Sequence, residues 1–453
     1  MSAEYPSRAA LITEAPIKTV LWRLGAPNVV AVATMTAVTF ADAVYAGRLG
    51  VAPLASLALA FPFLTLMQMM AGGAIGGGVT SAIARAFGAG DAEKAERLAW
   101  HAVLIAATMS CIFMVVLGLF PRPIFMRLGG EGAALDGAVA YARIAFGGGA
   151  ATWFLFVIAA VHRGAGDTVT PARAITVAAV IQVVLSGALT LGWFGAPRLG
   201  LVGTAAAMVV CQGSAALYLT VCLLRGRGGL RLRRQPFVWA HLRDIMSVGG
   251  LGLFNSLCMA MTVVVVTGYI GRFGIEALAG YGVGARLELM LVPIAFGMGA
   301  ALTAAVGVNV GANQHARARR IAMVGAGVVM VGTGAIGLTA AFAPNLWLGL
   351  FTDDPAATAI GARYLGIAAP FYGIFGAGQA LYFASQGTGR MRLPVLVTFS
   401  RFLTVALLGG AVIAAGMDIW NVFAAAAIGL TMMGVGQGLC LLGPGWRPRI
   451  VRR

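Results

Sequence analysis

The chain has 453 residues, 60% of them hydrophobic and only 10% charged, with a formal net charge of +17 and a mean hydropathy of +0.89. A soluble domain carries about 25% charged residues, so this composition excludes an ordinary soluble fold and indicates a polytopic membrane protein. The positive charge does not indicate a nucleic-acid partner, because Lys and Arg fall at the ends of apolar segments and no basic domain collects them.

Residues 1–21, with Glu4, Pro6, Glu14 and Pro16, lack a secretory pattern and read as a cytosolic lead-in. A membrane span needs about 20 apolar residues. Twelve segments qualify: 22–47, 54–84, 98–120, 138–162, 172–195, 199–224, 245–270, 277–310, 319–342, 364–386, 394–416 and 419–442. The second and eighth are too long for a straight perpendicular helix. Pro62 and Pro293 lie inside them and give a cause for bending.

The first span carries one acid, Asp42, in a run that is otherwise uncharged from Leu24 to Gly47. A carboxylate at mid-bilayer costs about 2.5–3.5 kcal/mol on insertion scales, so such an acid needs a reason. Two readings stand: a carboxylate that binds a coupling ion, or a structural acid bonded to neighbouring helices. Glu288 is the other acid within a span. It reads either as a second ion site or as one half of a pair with an arginine near the outer interface. Arg286, two residues away, does not share its helix face.

The remaining chemistry is sparse. Cys111, Cys211, Cys222, Cys258 and Cys440 lie in or at the ends of apolar runs without a CxxC pair, and read as buried thiols with no disulfide or metal role. His101, His162, His241 and His315 are scattered near segment ends. No HExxH, acid pair at catalytic spacing or Ser/His/Asp arrangement occurs, so an enzyme is not expected, and neither is a cofactor.

Lys and Arg orient the spans. With both termini in the cytoplasm, 24 basic residues fall on the cytoplasmic side and 8 on the other. That count places Arg163 and Arg173 in one cytoplasmic loop, and Arg390, Arg392 and Arg401 in another.

The chain repeats at half-length. Gly47-Arg48-Leu49-Gly50 matches Gly271-Arg272-Phe273-Gly274 at an offset of 224. Tyr141 matches Tyr364, and Gly164-x-Gly166-x-x-x-x-Pro171 matches Gly387-x-Gly389-x-x-x-x-Pro394, both at 223. Each half therefore holds six spans and enters from the same face. The expected fold is all-α, with twelve transmembrane helices in two pseudo-symmetric six-helix bundles. The lobes are 22–224 and 244–442, joined by a basic linker at 225–243 and followed by a basic tail at 443–453. Repeat-built transporters bind substrate near the midplane between such bundles.

These features resemble the multidrug and toxic compound extrusion (MATE) family over essentially the whole chain. The likeness rests on Asp42-x-x-x-x-Gly47-Arg48-Leu49-Gly50, Arg85-Ala86-Phe87-Gly88-Ala89-Gly90, Gly164-Ala165-Gly166-Asp167-Thr168-x-x-Pro171 with its echo at Gly387–Pro394, and Val306-Gly307-Val308-Asn309-Val310-Gly311-Ala312. Arg286-Leu287-Glu288 and Leu350-Phe351-Thr352-Asp353-Asp354 are most similar to the DinF-like branch.

The resemblance implies an inner-membrane efflux antiporter with a V-shaped pair of lobes. It would exchange organic, often cationic or amphipathic, compounds for protons or sodium, with protons preferred. Asp42 falls on a coupling position of the family. Where relatives carry an Asn and an Asp four apart in span five, this chain has Gln182 and Ser186, and the repeat partner of Asp42 is Val266. Candidate ion-coupling residues are thus Asp42 and Glu288. Candidate cleft residues are Gln182, Ser186, Thr204, Tyr141, Asn255, Gln68 and Gln379. Uncharged polar residues in spans also serve as glue between helices, and that reading stands beside the cleft reading. The expected partners are a small organic molecule and the bilayer, with the protein a monomer. A lipid-linked precursor flippase of the same superfamily is the alternative.

Overall fold

A computed structural model of the chain describes residues 4–227, 229–351, 354–443 and 446. Most of the expected basic tail, and Thr352 and Asp353 of the Leu350–Asp354 loop, lie outside the described residues. The described residues form helices and no strands, as a chain that must satisfy its backbone internally in lipid requires. Helix α1 (Glu4–Glu14) precedes α2 (Ile17–Leu49). Next come α3 (Val51–Gln68) and α4 (Gly76–Gly88), then α5 (Ala92–Phe113), which ends in a π turn at Met114–Leu119. After the short α6 (Pro121–Arg127), α7 (Gly132–Gly147), α8 (Gly149–Gly164), α9 (Val169–Leu191) and α10 (Leu201–Leu224) complete the first half. The second half holds α11 (Trp239–Ile270), α12 (Ile275–Gly311), α13 (His315–Phe342), the single turn α14 (Asn345–Leu348), α15 (Pro355–Ala368), α16 (Tyr372–Thr388), α17 (Arg392–Ala414) and α18 (Ile419–Cys440).

Among the described residues ten helical stretches are long and apolar enough to cross a membrane, and the α7–α8 pair, bent by 43°, makes an eleventh. Helices α15 and α16 are its counterpart and complete two sets of six. Spans four and ten are thus each two helices, where an unbroken span was expected. The first breaks at the run Gly147-Gly148-Gly149, which holds the chain in a helix weakly. The second breaks in a 3-10 turn at Ala369–Phe371, where Pro370 offers no N–H to the ladder. Gly148 and Phe371 are repeat partners at offset 223, so the break belongs to the fold. In span two, α3 runs on past Pro62. The interruption is a π turn at Met69–Ile75, which holds Gly72 and Gly73. Helix α11 begins at Trp239, within the stretch read as linker.

The halves meet along the ends of α2, α4, α11, α12 and α16 that lie on the side of the termini. Arg85 of α4 pairs with Asp244 of α11 at 2.7 Å. Ser81 donates to the Gln386 carbonyl across the same seam. Glycine permits the approach: a Cβ on Gly78 would stand 2.6 Å from the Ile245 carbonyl oxygen and 2.8 Å from the Gly249 nitrogen. Both are backbone atoms, which cannot swing aside.

Helix α1 crosses this seam. Arg317 Nη2 donates to the carbonyls of Ile12 and Ala15, and Asn309 Nδ2 donates to Ile12 O at 3.3 Å. On the other half, Arg8 stands 3.7 Å from Asp167, in the loop before α9. Asp167 is 6% exposed. Burial alone would raise its carboxyl, but the His162 side chain and the Thr170 N–H, which donates at 3.0 Å, outweigh it and hold the carboxyl down at about 2.

Candidate functional site: two carboxylates in repeat-related pockets

Asp42 sits half-buried on α2, about seven turns into the helix. Its Oδ1 is buried without a hydrogen-bond partner among the described residues. Ser186 of α9, fully buried, lies within interaction range of this carboxylate, although its Oγ also makes no hydrogen bond. Tyr141 of α7, 2% exposed, lies within electrostatic range of the same carboxylate. One turn beyond Asp42, Tyr45 donates to the Val183 carbonyl at 3.2 Å and packs edge-on against Trp193 at 5.5 Å. That contact fixes α2 against α9 and so sets where Asp42 points.

The second half builds the same pocket with different chemistry. Tyr269, the repeat partner of Tyr45, donates to the Ala406 carbonyl at 2.8 Å. Ala406 is in turn the partner of Val183 at offset 223. Val266 occupies the place of Asp42, Val405 that of Gln182 and Tyr364 that of Tyr141. All three line a small pocket with Tyr281, Glu288 and Arg401. The acid here therefore enters from α12 instead of from the helix equivalent to α2.

Glu288 is satisfied where Asp42 is not. Tyr364 donates to Oε2 at 2.7 Å, and Arg401 Nη2 stands 3.8 Å from Oε1. Tyr364 packs edge-on against Tyr281 at 5.0 Å and Phe423 at 5.1 Å. The Arg401 guanidinium lies over the Phe375 ring at 5.1 Å, a cation–π contact. In this low-dielectric setting the pair attracts strongly, but each charge also carries a desolvation cost.

Arg401 corrects the sequence reading, which placed it in a loop. It is the tenth residue of α17 and 5% exposed. Arg163, also assigned to a loop, is the last residue but one of α8 and 4% exposed. Both were visible as basic residues at the edges of apolar runs, but a Lys/Arg count registers sequence position and not packing. Glu288 does pair with an arginine, from α17 and not its neighbour Arg286, which lies against Phe351 at 5.6 Å.

Of the other candidates, Gln182 is buried one turn from Ser186 on α9. Thr204 is buried on α10, where its hydroxyl donates to its own helix at Leu201 O, 2.8 Å away. Asn255 Oδ1 and Gln379 Oε1 are buried without hydrogen bonds, on α11 and α16. Gln68 ends α3 and is half-buried. Among the described residues no hydrogen bond ties Thr204, Asn255, Gln68 or Gln379 to either carboxylate.

Comparison with known proteins gives a consistent family. The family model described as MatE matches residues 27–187 and again 252–412. The chain is 27% identical to the "FAD transporter" of Shewanella oneidensis, covering 76% of each chain. It is 26% identical to the "Probable multidrug resistance protein NorM" of Thermotoga maritima, covering 73% of this chain and 71% of that one. Among solved structures, an "Outward-facing conformation of a multidrug resistance MATE family transporter of the MOP superfamily" superposes with a TM-score of 0.86. Its sequence identity is 21%, with 95% of this chain and 96% of that one covered.

Proposed function

The chain belongs to the MatE family of membrane transporters, and from that premise we propose that it is a secondary active antiporter that exports organic compounds in exchange for protons. Asp42 and Glu288 are the coupling carboxylates of this reading. The observation that carries it is the buried Oδ1 of Asp42, which no side chain of the described residues satisfies. A proton on this carboxyl removes the charge from an apolar setting, and its release restores the charge when the pocket is hydrated. Sodium would need several oxygen ligands, for which Ser186 and Gln182 are the nearest candidates on α9.

Transport follows by rocking the two halves about their seam. The halves touch at the face of the termini, through Arg85–Asp244 and Ser81–Gln386. Opening that face must break these contacts. The Lys and Arg distribution supports a cytoplasmic location for it.

A second reading concerns the substrate. When Glu288 takes up a proton, Arg401 loses its counter-charge, and over Phe375 and among Tyr281 and Tyr364 it then favours a compound with an aromatic ring and an anionic group over a plain cation. The relative named for FAD transport is consistent with it. Efflux of cationic and of anionic dyes from inverted vesicles, under an imposed pH gradient and then a sodium gradient, tests both parts. Efflux driven by sodium alone removes the proton assignment. Export of cations only removes the second reading.

A further inference from the structure

We propose that Arg163 anchors an anion site on the pseudo-twofold axis of the protein, sized for one small monovalent anion such as chloride. Arg163 lines a cavity between the halves together with Gly73, Gly77, Phe296, Thr303 and Gln386. At offset 223, Arg163 pairs with Gln386, Thr80 with Thr303 and Gly73 with Phe296. Repeat partners thus face one another across a single cavity, which places it on the axis that relates the halves. The hydrogen bonds repeat too: Thr80 donates to Ala160 O at 3.1 Å, and Thr303 donates to Phe383 O at 2.7 Å, residue 383 being the partner of 160.

Within this symmetric frame the two central residues differ. Gln386 is neutral and donates through Nε2 to Gly73 O at 3.0 Å. Arg163 is charged and 4% exposed, and its buried Nε has no hydrogen-bond partner. No carboxylate among the described residues lies within ion-pair distance of it. Asp244 on the seam is held by Arg85, and Asp167, four residues after Arg163 in the chain, stands with Arg8 and His162. A buried guanidinium needs a counter-charge, and the described residues supply none at this point.

The cavity selects by size and by donors. Its free space is about 10 Å³, the room of one water, so a single small ion is the most it takes, and a carboxylic acid or a phosphate ester is too large. The threonine hydroxyls are committed to carbonyls, which leaves the Arg163 guanidinium to face the anion, with the Gln386 amide beside it. Gly77 leaves room for the Gln386 amide, since a Cβ there would run into Oε1 and stand 2.8 Å from Nε2. Arg163 and Gly73 come from one half, Gln386 and Thr303 from the other. Occupancy by an anion therefore favours the arrangement in which the halves are closed at the face of the termini. This holds whichever ion or substrate the protein couples.

The test uses the full chain purified in detergent and unfolded thermally in sodium chloride, sodium bromide or sodium gluconate at equal ionic strength. Chloride and bromide are expected to raise the midpoint saturably, and gluconate, which is too large, is not. Arg163→Gln, which makes the two repeat positions alike, should abolish the rise, and Arg163→Lys should weaken it. If Arg163→Gln does not fold, Gln386→Ala should weaken the chloride response. A bromide anomalous peak beside Arg163 would locate the ion. A midpoint indifferent to the anion, an undiminished response in Arg163→Gln or Gln386→Ala, or a bromide peak elsewhere with none at Arg163 overturns the proposal.

Discussion

Tyr364 donates a 2.7 Å hydrogen bond to Oε2 of Glu288, while the Arg401 guanidinium stands 3.8 Å from the other oxygen of the same carboxylate. Glu288 is thus held from two helices, α15 and α17, and the pocket is closed by aromatic rings. Removing one partner of such a buried pair leaves a lone charge, at a cost of about 3–5 kcal/mol. Arg401→Leu should therefore destabilise the protein by about that much in thermal unfolding. The double variant Glu288→Gln/Arg401→Leu should recover a large part of the loss, because no charge is then left alone. Strict additivity of the two single effects would show that the residues do not interact.

Tyr364→Phe removes only the hydroxyl. A hydrogen bond to a charged group contributes about 1.5–3 kcal/mol, so this variant should lose less stability than Arg401→Leu. By repeat symmetry, Tyr141→Phe sits beside an acid to which the described residues show no hydrogen bond from tyrosine. It should therefore cost less than Tyr364→Phe. Equal losses in the two halves, read from unfolding midpoints, would contradict the asymmetry described for the two pockets.

Gly78 sets how closely the halves approach at the face of the termini. A Cβ there meets backbone atoms of α11 at 2.6 and 2.8 Å, and backbone cannot give way as a side-chain end can. Gly78→Ala should shift the population towards halves held apart on this face. Spin labels at Ala89 and Ala312, in loops of opposite halves, should then report a longer mean distance. An unchanged distance distribution would mean that the seam is softer than its geometry implies.

Asp167 gives the protein an acid-sensitive joint outside the spans. Its folded carboxyl lies at about 2 against an ordinary value of 3.8. A depressed folded value contributes stability above the unfolded value and loses it as pH falls through the folded one. The contribution, about 2–3 kcal/mol at 1.4 kcal/mol per unit, is thus present above about pH 4 and lost between about pH 4 and 2. Asp167→Asn should lower stability near neutrality by about that amount and flatten the acid limb of the midpoint-versus-pH curve. A variant with the wild-type acid limb would show that other groups govern it.

The span pattern, the two halves and the repeat were legible because bilayer thickness imposes a long apolar period that single residues cannot hide. Asp42 stood out for the same reason, as an acid where nothing charged is expected. The repeat even places Tyr364 in the site, since Tyr141 and Tyr364 align. What the sequence hid was direction. Arg401 follows Arg390 and Arg392 and reads as the third member of a loop cluster, yet about two and a half turns of α17 carry it inside to Glu288. Arg163 ends an apolar run as topogenic arginines do, and it is buried by the packing of α8 on α4, α5 and α10 and by the second half across the seam. The breaks at Gly148 and Phe371 were also hidden, because hydropathy registers composition and not backbone continuity.

The central claim is that Asp42 couples ion movement to export. Dye efflux from inverted vesicles, driven by an imposed pH gradient, tests it most directly in the wild type and in Asp42→Asn at matched protein levels. The variant is expected to keep the fold but to fall to the background seen without a gradient, because an amide cannot take up and release the proton. Gradient-driven efflux at the wild-type rate in Asp42→Asn would contradict it and leave Glu288 as the carboxylate to test.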